Sequence, residues 1–376
     1  MAMASAHYQY IDTEVQLQSA IEVCSRAKVL AIDTEFVRFN TYYPIVGLIQ
    51  IGTPEACFLI DPLGIDDLSP LRVILAEPAI MKIFHACSED LEVFQHVLGF
   101  IPKPLYDTQI AAALLGVGYS MSYQSLVEHY LGIALPKDQT RSDWLARPLS
   151  EDQLRYAALD VIHLLHIYAE QYQLISVAGK ESWIEEESAA LGRDIPTMVD
   201  PQFAYQRIKG LWQLDRRQLN QMRSLCAWRE ETARLEDIPR NRIATQKALM
   251  TIVRKNLMDH RSLQQRADMT PRQLRKYGDD IVQVLKAANQ AEEDSLPDLI
   301  SRDETAVSSS MVKRLKKVVA EKAKILSVAP ELLVKRRHLE KLIRSVDGQG
   351  GYQLPEELHG WREKVIGDDL LEVLTE

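Results

Sequence analysis

VLAIDTEFVRF, residues Val29 to Phe39, is apolar and β-branched enough to read as a buried strand, yet it carries Asp33 and Glu35 two positions apart. Side chains alternate across a strand, so both carboxylates face the same side of a sheet. Burying one ionised carboxylate is costly unless it is paired, and burying two neighbours is worse. The nearest cation in sequence, Arg38, falls on the face opposite Asp33 unless the strand is bulged. The pair therefore needs a partner from elsewhere in the chain, either a basic side chain or a bound cation.

Three strand-like runs, Val29–Arg38, Ile45–Gly52 and Ala56–Asp61, are joined by short connections and predict an antiparallel meander. From about Leu71 the pattern changes. Strand candidates Met81–Ala86 and Leu105–Asp107 alternate with helix candidates Glu89–Leu98, Thr108–Leu115 and Ser122–Leu131. Ser150 followed by Gln153 forms a capping box, and Leu154, Ala158, Val161, Leu165 and Tyr168 make one apolar stripe behind it. These elements predict an α/β domain with a mixed sheet over residues 1–200.

Beyond the turn-rich GRDIPTMVDP (Gly192–Pro201) the chain reads as mostly helical, and it repeats itself. LCAWREETARLEDIP (225–239) returns as LKKVVAEKAKILSVA (315–329), and GDDIVQVL (278–285) returns as GDDLLEVL (367–374). Two copies of one helical domain are the economical explanation, over residues 205–291 and 311–376, with a linker at 292–310.

Charge divides along the same line. Of the 376 residues, 1–200 hold 12 basic against 27 acidic side chains, whereas 201–295 hold 18 against 12. A basic helical module suggests a polyanion partner, with solvated helix faces as the alternative. Arg216, Arg217, Arg223, Arg240 and Arg242 are the candidate phosphate contacts. Trp212 and Trp228 are either stacking platforms or helix core. The four cysteines show no CxxC spacing, which argues against a zinc site and for a reducing compartment. No signal peptide is visible, and the longest nearly apolar run, Ile110–Val117, is too short to cross a bilayer. The expectation is a cytoplasmic chain with no membrane partner. No coiled-coil signal forces an oligomer, so a monomer is expected.

Two more acids stand out. Asp90, in HACSEDLEVF, lies in the first turn of a helix with Ser88 as expected N-cap, at the border of the stripe Leu91, Phe94 and Leu98. Asp160, in YAALDVIHLLHIY, sits on an apolar helix with Tyr156 one turn before it, and no lysine or arginine shares that face. His163 continues the face and reads as packing rather than ligation. Together Asp33, Glu35, Asp90 and Asp160 carry −4. Two divalent cations, Mg²⁺ or Mn²⁺, would neutralise that charge with an all-oxygen ligand set. Such a pair clamps the attacking and leaving oxygens of phosphoryl transfer. Residue chemistry alone reaches metal-dependent phosphodiester hydrolysis. A phosphatase acting on small nucleotides is also open, but it would leave the basic extension without a task.

In order and spacing, DTEF, HACSEDLEVF and the Tyr156–Asp160 pair resemble the three motifs of the DEDD exonuclease superfamily. Arg155 stands where the histidine variant places its histidine, so the likeness is to the tyrosine subgroup. The long form DTEFVRFNTYYPIVGLIQIG, the RSDWLARPLS segment (141–150) and two trailing repeats similar to HRDC domains resemble the bacterial ribonuclease D family. That resemblance implies an RNase H-like fold and removal of nucleotides from RNA 3′ ends as 5′-monophosphates. It implies tRNA precursors with 3′ extensions as substrates. It also implies Asp33, Glu35 and Asp160 around the ion nearer the nucleophile, with Asp33 bridging to a second ion. Asp90 would reach that second ion mainly through water, and Tyr156 would orient the attacking water or serve as its base. The rivals are a DNA 3′–5′ exonuclease and a non-catalytic RNA-binding scaffold; the intact acids and tyrosine argue against the scaffold.

Overall fold

A computed structural model describes residues 7–135, 142–192, 195, 199–300, 309–346 and 350–375. Arg141 of RSDWLARPLS, parts of the turn-rich segment after Gly192 and residues 301–308 of the expected linker lie outside the described residues. The chain divides into two compact units: Met1–Val37, Val46–Ile195 and Thr305–Glu376 form one, Arg38–Ile45 and Pro196–Glu304 the other.

In the first unit β1 (Gln9–Ile11) and α1 (Glu14–Cys24) precede β2 (Val29–Val37), β3 (Ile45–Gly52) and β4 (Cys57–Ile60). Then come α2 (Arg72–Leu75), β5 (Met81–Phe84), α3 (Ser88–Leu98), β6 (Leu105–Asp107), α4 (Thr108–Leu114), α5 (Tyr123–Leu131), α6 (Glu151–Val177) and α7 (Glu181–Leu191). The six strands lie in the order β1-β4-β3-β2-β5-β6. β3 pairs antiparallel with β4, whereas β1 with β4, β2 with β5 and β5 with β6 are parallel. The sheet is therefore mixed, as the sequence predicts, and β2 is an interior strand. Unexpected were β1, too short at three residues to show a period, and α1. The helix was readable: Leu17, Ala20, Ile21 and Cys24 are its buried residues, and Thr13 with Gln16 closes a capping box.

α6 begins at the expected box of Ser150 and Gln153. Of the expected stripe Ala158 and Val161 are fully buried, but the buried side is rotated toward Ala157, Asp160, Leu164, Ile167 and Gln171, leaving Leu154, Leu165 and Tyr168 only half-buried. Small residues explain the rotation. A Cβ on Gly52 of β3 would stand 3.2 Å from the Val161 side chain, so helix and sheet approach closely on that side.

Ser88 is not the N-cap of α3. It is the first helical residue, and Cys87 occupies the cap without a side-chain bond. The turn just ahead of the helix is held instead by Asp107 at the end of β6. Its carboxylate accepts from the amides of Ala86 (3.2 Å) and Cys87 (3.0 Å) and also from Gln109 (2.8 Å) at the start of α4. A single acid thus ties two helix starts to one strand end, a long-range arrangement invisible to a local cap rule.

The second repeat contributes α13 (Ser309–Leu326), α14 (Pro330–Leu333), α15 (Arg336–Arg344) and α16 (Asp368–Thr375), and it packs within the first unit. One apolar cluster runs from Ala113, Leu114 and Ile184 into Leu315, Leu333 and Trp361. Lys180 donates to the carbonyls of Leu114 and Leu326, both at 2.7 Å. The Ala329 amide donates to the Ala113 carbonyl at 2.7 Å. Trp361 stacks on Trp183 at 4.5 Å between ring centroids, and its indole donates to Glu187 at 2.8 Å.

The second unit is built from α8 (Arg216–Leu235), α9 (Arg240–Ile243), α10 (Gln246–Arg254), α11 (His260–Arg266) and α12 (Pro271–Asn289). Asp215 with Gln218 and Thr270 with Gln273 form the capping boxes that start its two long helices. Its core includes Leu219, Met222, Leu225, Ile252 and Ile281, and also Tyr42 from the segment that follows β2. Tyr42 is 2% exposed, and its hydroxyl donates to Glu230 while accepting from Arg234 (3.2 Å) and Arg240 (3.0 Å). The amides of Tyr42 and Tyr43 both donate to Asp237 at 2.9 Å. Among the described residues no helix is long and apolar enough to cross a membrane.

Candidate active site

β2 delivers Asp33 and Glu35 to one face of the sheet, half-buried, while Leu30, Ile32 and Thr34 are fully buried. α6 crosses that face and brings Asp160. One oxygen each from Asp33, Glu35 and Asp160 lies within 4.8 Å of the other two. Asp90, in the first turn of α3, stands beside this trio without joining it at that distance. Its carboxylate accepts the Thr34 hydroxyl from the opposite face of β2, and the Asp33 charge acts on it. Two of the four, Asp90 and Asp160, are 7% exposed, and Asp33 and Glu35 are half-buried.

Every carboxyl in this group is harder to ionise than an ordinary one. Burial, then the Asp33, Asp160 and Asp90 charges, push Glu35 up to about 10. Burial raises Asp160 to about 8, with the Tyr156 hydroxyl bond pulling the other way. Asp33 is raised by burial and by Asp160, and Asp90 by burial and by Asp33. Among the described residues, none of the groups shifting these four carboxyls is a cation. Arg38, the nearest in sequence, sends its guanidinium to the Tyr42 carbonyl at 2.6 Å. A salt-bridged pair is therefore not what the strand was built for. Four hard oxygen donors sets, crowded together and unneutralised, fit divalent cations of the Mg²⁺ or Mn²⁺ kind, whose binding would displace protons.

Tyr156 lies one turn before Asp160, hydrogen-bonded to it. Burial and the Asp160 and Glu35 charges raise the phenol, so it stays protonated at neutral pH. Its ring rests 6.2 Å from that of Trp144, a buried residue of the RSDWLARPLS segment. His163 is half-buried; burial and His166 lower its pKa.

The sequence did not point to Tyr123 on α5. Its hydroxyl donates to the Leu159 carbonyl at 3.0 Å and also to the Asp160 carbonyl, so it fixes the backbone that carries the fourth acid. Nothing in a local motif signals such a bond. Tyr123→Phe is expected to lower turnover about tenfold through a small displacement of Asp160, leaving the KM for RNA unchanged. Steady-state kinetics separating kcat from KM checks this; an altered KM with intact kcat would assign Tyr123 to substrate binding.

The five arginines singled out in the basic module all have internal partners. Arg216 donates to the Leu296 carbonyl (3.0 Å), Arg217 to the Ala291 carbonyl (2.6 Å) and Glu293 (2.9 Å), and Arg223 to Asn220 (2.7 Å). Arg240 pairs with Glu230 (2.6 Å) and Arg242 with Asn40 (2.9 Å). Trp228 belongs to the helical core, with its ring 6.1 Å from Tyr277, whereas Trp212 is 41% exposed.

The family model for 3′–5′ exonucleases matches residues 8–171, that for the HRDC domain 218–285, and that for the ribonuclease D C-terminal HRDC domain 309–370. Ribonuclease D of Pseudomonas paraeruginosa is 39% identical over 377 residues, spanning 100% of this chain and 99% of that protein. The chain belongs to the ribonuclease D family. Ribonuclease D of Escherichia coli is 36% identical over 98% of this chain and 99% of its own. The crystal structure of Escherichia coli RNase D, described as an exoribonuclease involved in structured RNA processing, matches with a TM-score of 0.90 over 98% of this chain and 99% of that one. Membership in the ribonuclease D family makes the chain a hydrolase of the 3′–5′ exoribonuclease class.

Proposed function

We propose that the chain shortens RNA from its 3′ end by metal-dependent hydrolysis, releasing 5′-mononucleotides, and that tRNA precursors with 3′ extensions are among its substrates. The observation that carries the metal dependence is the trio Asp33, Glu35 and Asp160, with oxygens within 4.8 Å of one another and no cation acting on them. Asp90 is the fourth member of the ligand set. Two divalent ions held by these acids would supply Lewis acidity toward the scissile phosphate and a nucleophile available at neutral pH.

The chain's own residues do the rest. Asp33 and Glu35 are fixed by an interior strand, and Asp160 by a helix closely packed on it, so the ligand geometry is set before substrate arrives. Tyr156 keeps its proton, donates it in a hydrogen bond to Asp160 and leaves its oxygen lone pairs to orient the attacking water. Tyr156→Phe removes that contact together with the hydrogen bond to Asp160. It is expected to lower turnover about 10²–10⁴-fold with RNA affinity nearly unchanged, read from single-turnover rates beside fluorescence anisotropy. Unchanged turnover would take Tyr156 out of the mechanism.

The decisive experiment incubates 3′-extended tRNA with the protein, with and without chelator, and resolves products by length. A ladder shrinking from the 3′ end only with metal supports the proposal. Cleavage that ignores the chelator, or that prefers single-stranded DNA, would replace it. Four buried cysteines, all free thiols, agree with a reducing cytoplasm, where we place the protein as a monomer.

A further inference from the structure

Two clefts in the helical unit meet at the start of α10. The smaller, about 220 Å³, is lined by Arg207, Arg229, Arg240, Asn241 and Gln246, with Glu230 as its single acid. The larger, about 630 Å³, is lined by Lys209, Lys247, Met250, Arg254 and Lys255, and again by Gln246, with no acid on its walls. Gln246 is the first residue of α10. Thr245 caps that helix through the Ala248 amide at 3.1 Å, and the amides of the opening turn have no partner within the helix.

Arg229 is the residue that the fold of the domain does not account for. It is 7% exposed, and its Nη1 donates to the Ala244 carbonyl at 3.0 Å, but its buried Nε has no hydrogen-bond partner among the described residues. Leaving a charged group desolvated and partly unpaired is costly. Burial and the neighbouring Arg240 accordingly hold its pKa below the usual arginine value. The Glu230 carboxylate acts on Arg229 through its charge, while its hydrogen bonds go to Arg240 (2.6 Å), Arg234 (3.3 Å) and the Tyr42 hydroxyl. In the larger cleft Lys247 pairs with Asp268 at 2.8 Å, while Lys209, Arg254 and Lys255 are exposed.

A buried guanidinium fork, a helix start and a run of exposed cations recur wherever phosphates are bound. Resting on the reading that RNA is the substrate, we propose that the RNA backbone follows these two clefts. One phosphate seats against Arg229 and Arg207 at the head of α10, and its neighbours lie along Lys209, Arg254 and Lys255. The walls are rich in cations and offer no aromatic ring, so they would hold the strand without reading its bases. A free phosphate or a mononucleotide presents the same chemistry to Arg229, and the test separates the sources.

The probe is a 5′-labelled single-stranded RNA of 20 nucleotides, bound to the full-length chain in chelator and followed by anisotropy across a salt titration. The triple variant Arg207→Gln, Lys209→Gln, Lys255→Gln changes exposed residues only. It is expected to bind about tenfold more weakly, with a salt slope shallower by about 2, since each lost single-strand phosphate contact removes roughly 0.7. Inorganic phosphate is expected to stabilise the wild type against heat, and Arg229→Gln is expected to abolish that effect and to weaken RNA binding in the same sense as the triple variant. Affinity and slope unchanged in both variants would overturn the track. If only the phosphate effect disappears while RNA binding is untouched, the site belongs to free phosphate and the assignment to RNA is wrong. The wild type's shortening of the same RNA in Mg²⁺ is read in parallel. Its failure would sink the nuclease reading, whereas intact shortening with unaffected binding sinks the track alone.

Discussion

Asp33→Asn is expected to stop RNA shortening and, at the same time, to raise the melting temperature of the metal-free chain. Losing an outer-sphere partner of a metal ligand already costs about 10–100-fold in affinity or activity, so losing a ligand, which Asp33 is on the proposed reading, sets about 100-fold as a floor. The stability gain comes from the same crowding. Asp33 raises both Glu35 and Asp90, and removing its charge relieves two neighbours at once. Each kcal/mol relieved is worth about 2–4 °C in a domain of this size.

The pH dependence follows with a definite sign. Glu35 at about 10 and Asp160 at about 8 lie above the ordinary carboxyl range, so the folded state holds protons that the unfolded chain has released. Such groups stabilise the fold fully at acid pH, and their contribution is lost as pH rises from about 4 toward those two values. Thermal melts in chelator should therefore fall across that window for the wild type and fall less for Asp33→Asn. Added Mg²⁺ should cancel the loss for the wild type, because it favours the ionised acids. A lower melting temperature for Asp33→Asn in chelator would mean that the acids are not in mutual repulsion.

Trp361→Ala carries the largest expected loss of stability, about 3–5 kcal/mol from lost burial and the cavity left behind. Trp361 is 1% exposed, stacked on Trp183, and its amide donates to Glu186 at 2.9 Å. A Cβ on the preceding Gly360, which has φ of 75°, would stand 2.3 Å from that Glu186 carboxylate, so the turn admits only glycine. Glu187 also accepts from Arg362 at 2.9 Å, with both side chains 13% exposed. Because this cluster joins the second helical repeat to α7, urea unfolding followed by far-ultraviolet circular dichroism and by fluorescence of the remaining tryptophans should report one lowered, shared transition. Two separate transitions, with the midpoint of the sheet-bearing part unmoved, would contradict a common core.

What the sequence disclosed and what it hid differ in range. The acids of β2 were legible because strand alternation puts Asp33 and Glu35 on one face, and Tyr156 with Asp160 because a helix turn does the same. The start of α6 was legible because a capping box is closed within four residues. Hidden were contacts whose partners lie far apart in the chain. Asp107 holds the turn ahead of α3 from twenty residues away, where a local Ser88 cap was expected. Tyr123 reaches the backbone at Asp160 across |i−j| of 37. The arginines of α8 and α9 read as free cations in one dimension, yet Arg217 meets Glu293 and Arg240 meets Glu230. Local charge counts could not separate those from Lys209, Arg254 and Lys255. The rotation of α6 was hidden too, because it depends on Gly52 letting Val161 approach.

The segment Arg38–Ile45 leaves the strand that bears Asp33 and Glu35 and is counted with the helical unit, where Tyr42 is buried against Glu230, Arg234 and Arg240. The chain thus passes between its two units four times, and no single cut releases either as a clean cassette. A protein ended near residue 200 would keep Tyr42 and lose Glu230, Arg234, Asp237 and Arg240, returning a buried phenol and its backbone amides to water a few residues from Asp33 and Glu35. Loss of activity on such a truncation would report a damaged loop as readily as a missing RNA grip, so the contribution of the helical unit is better measured by point substitution than by removal.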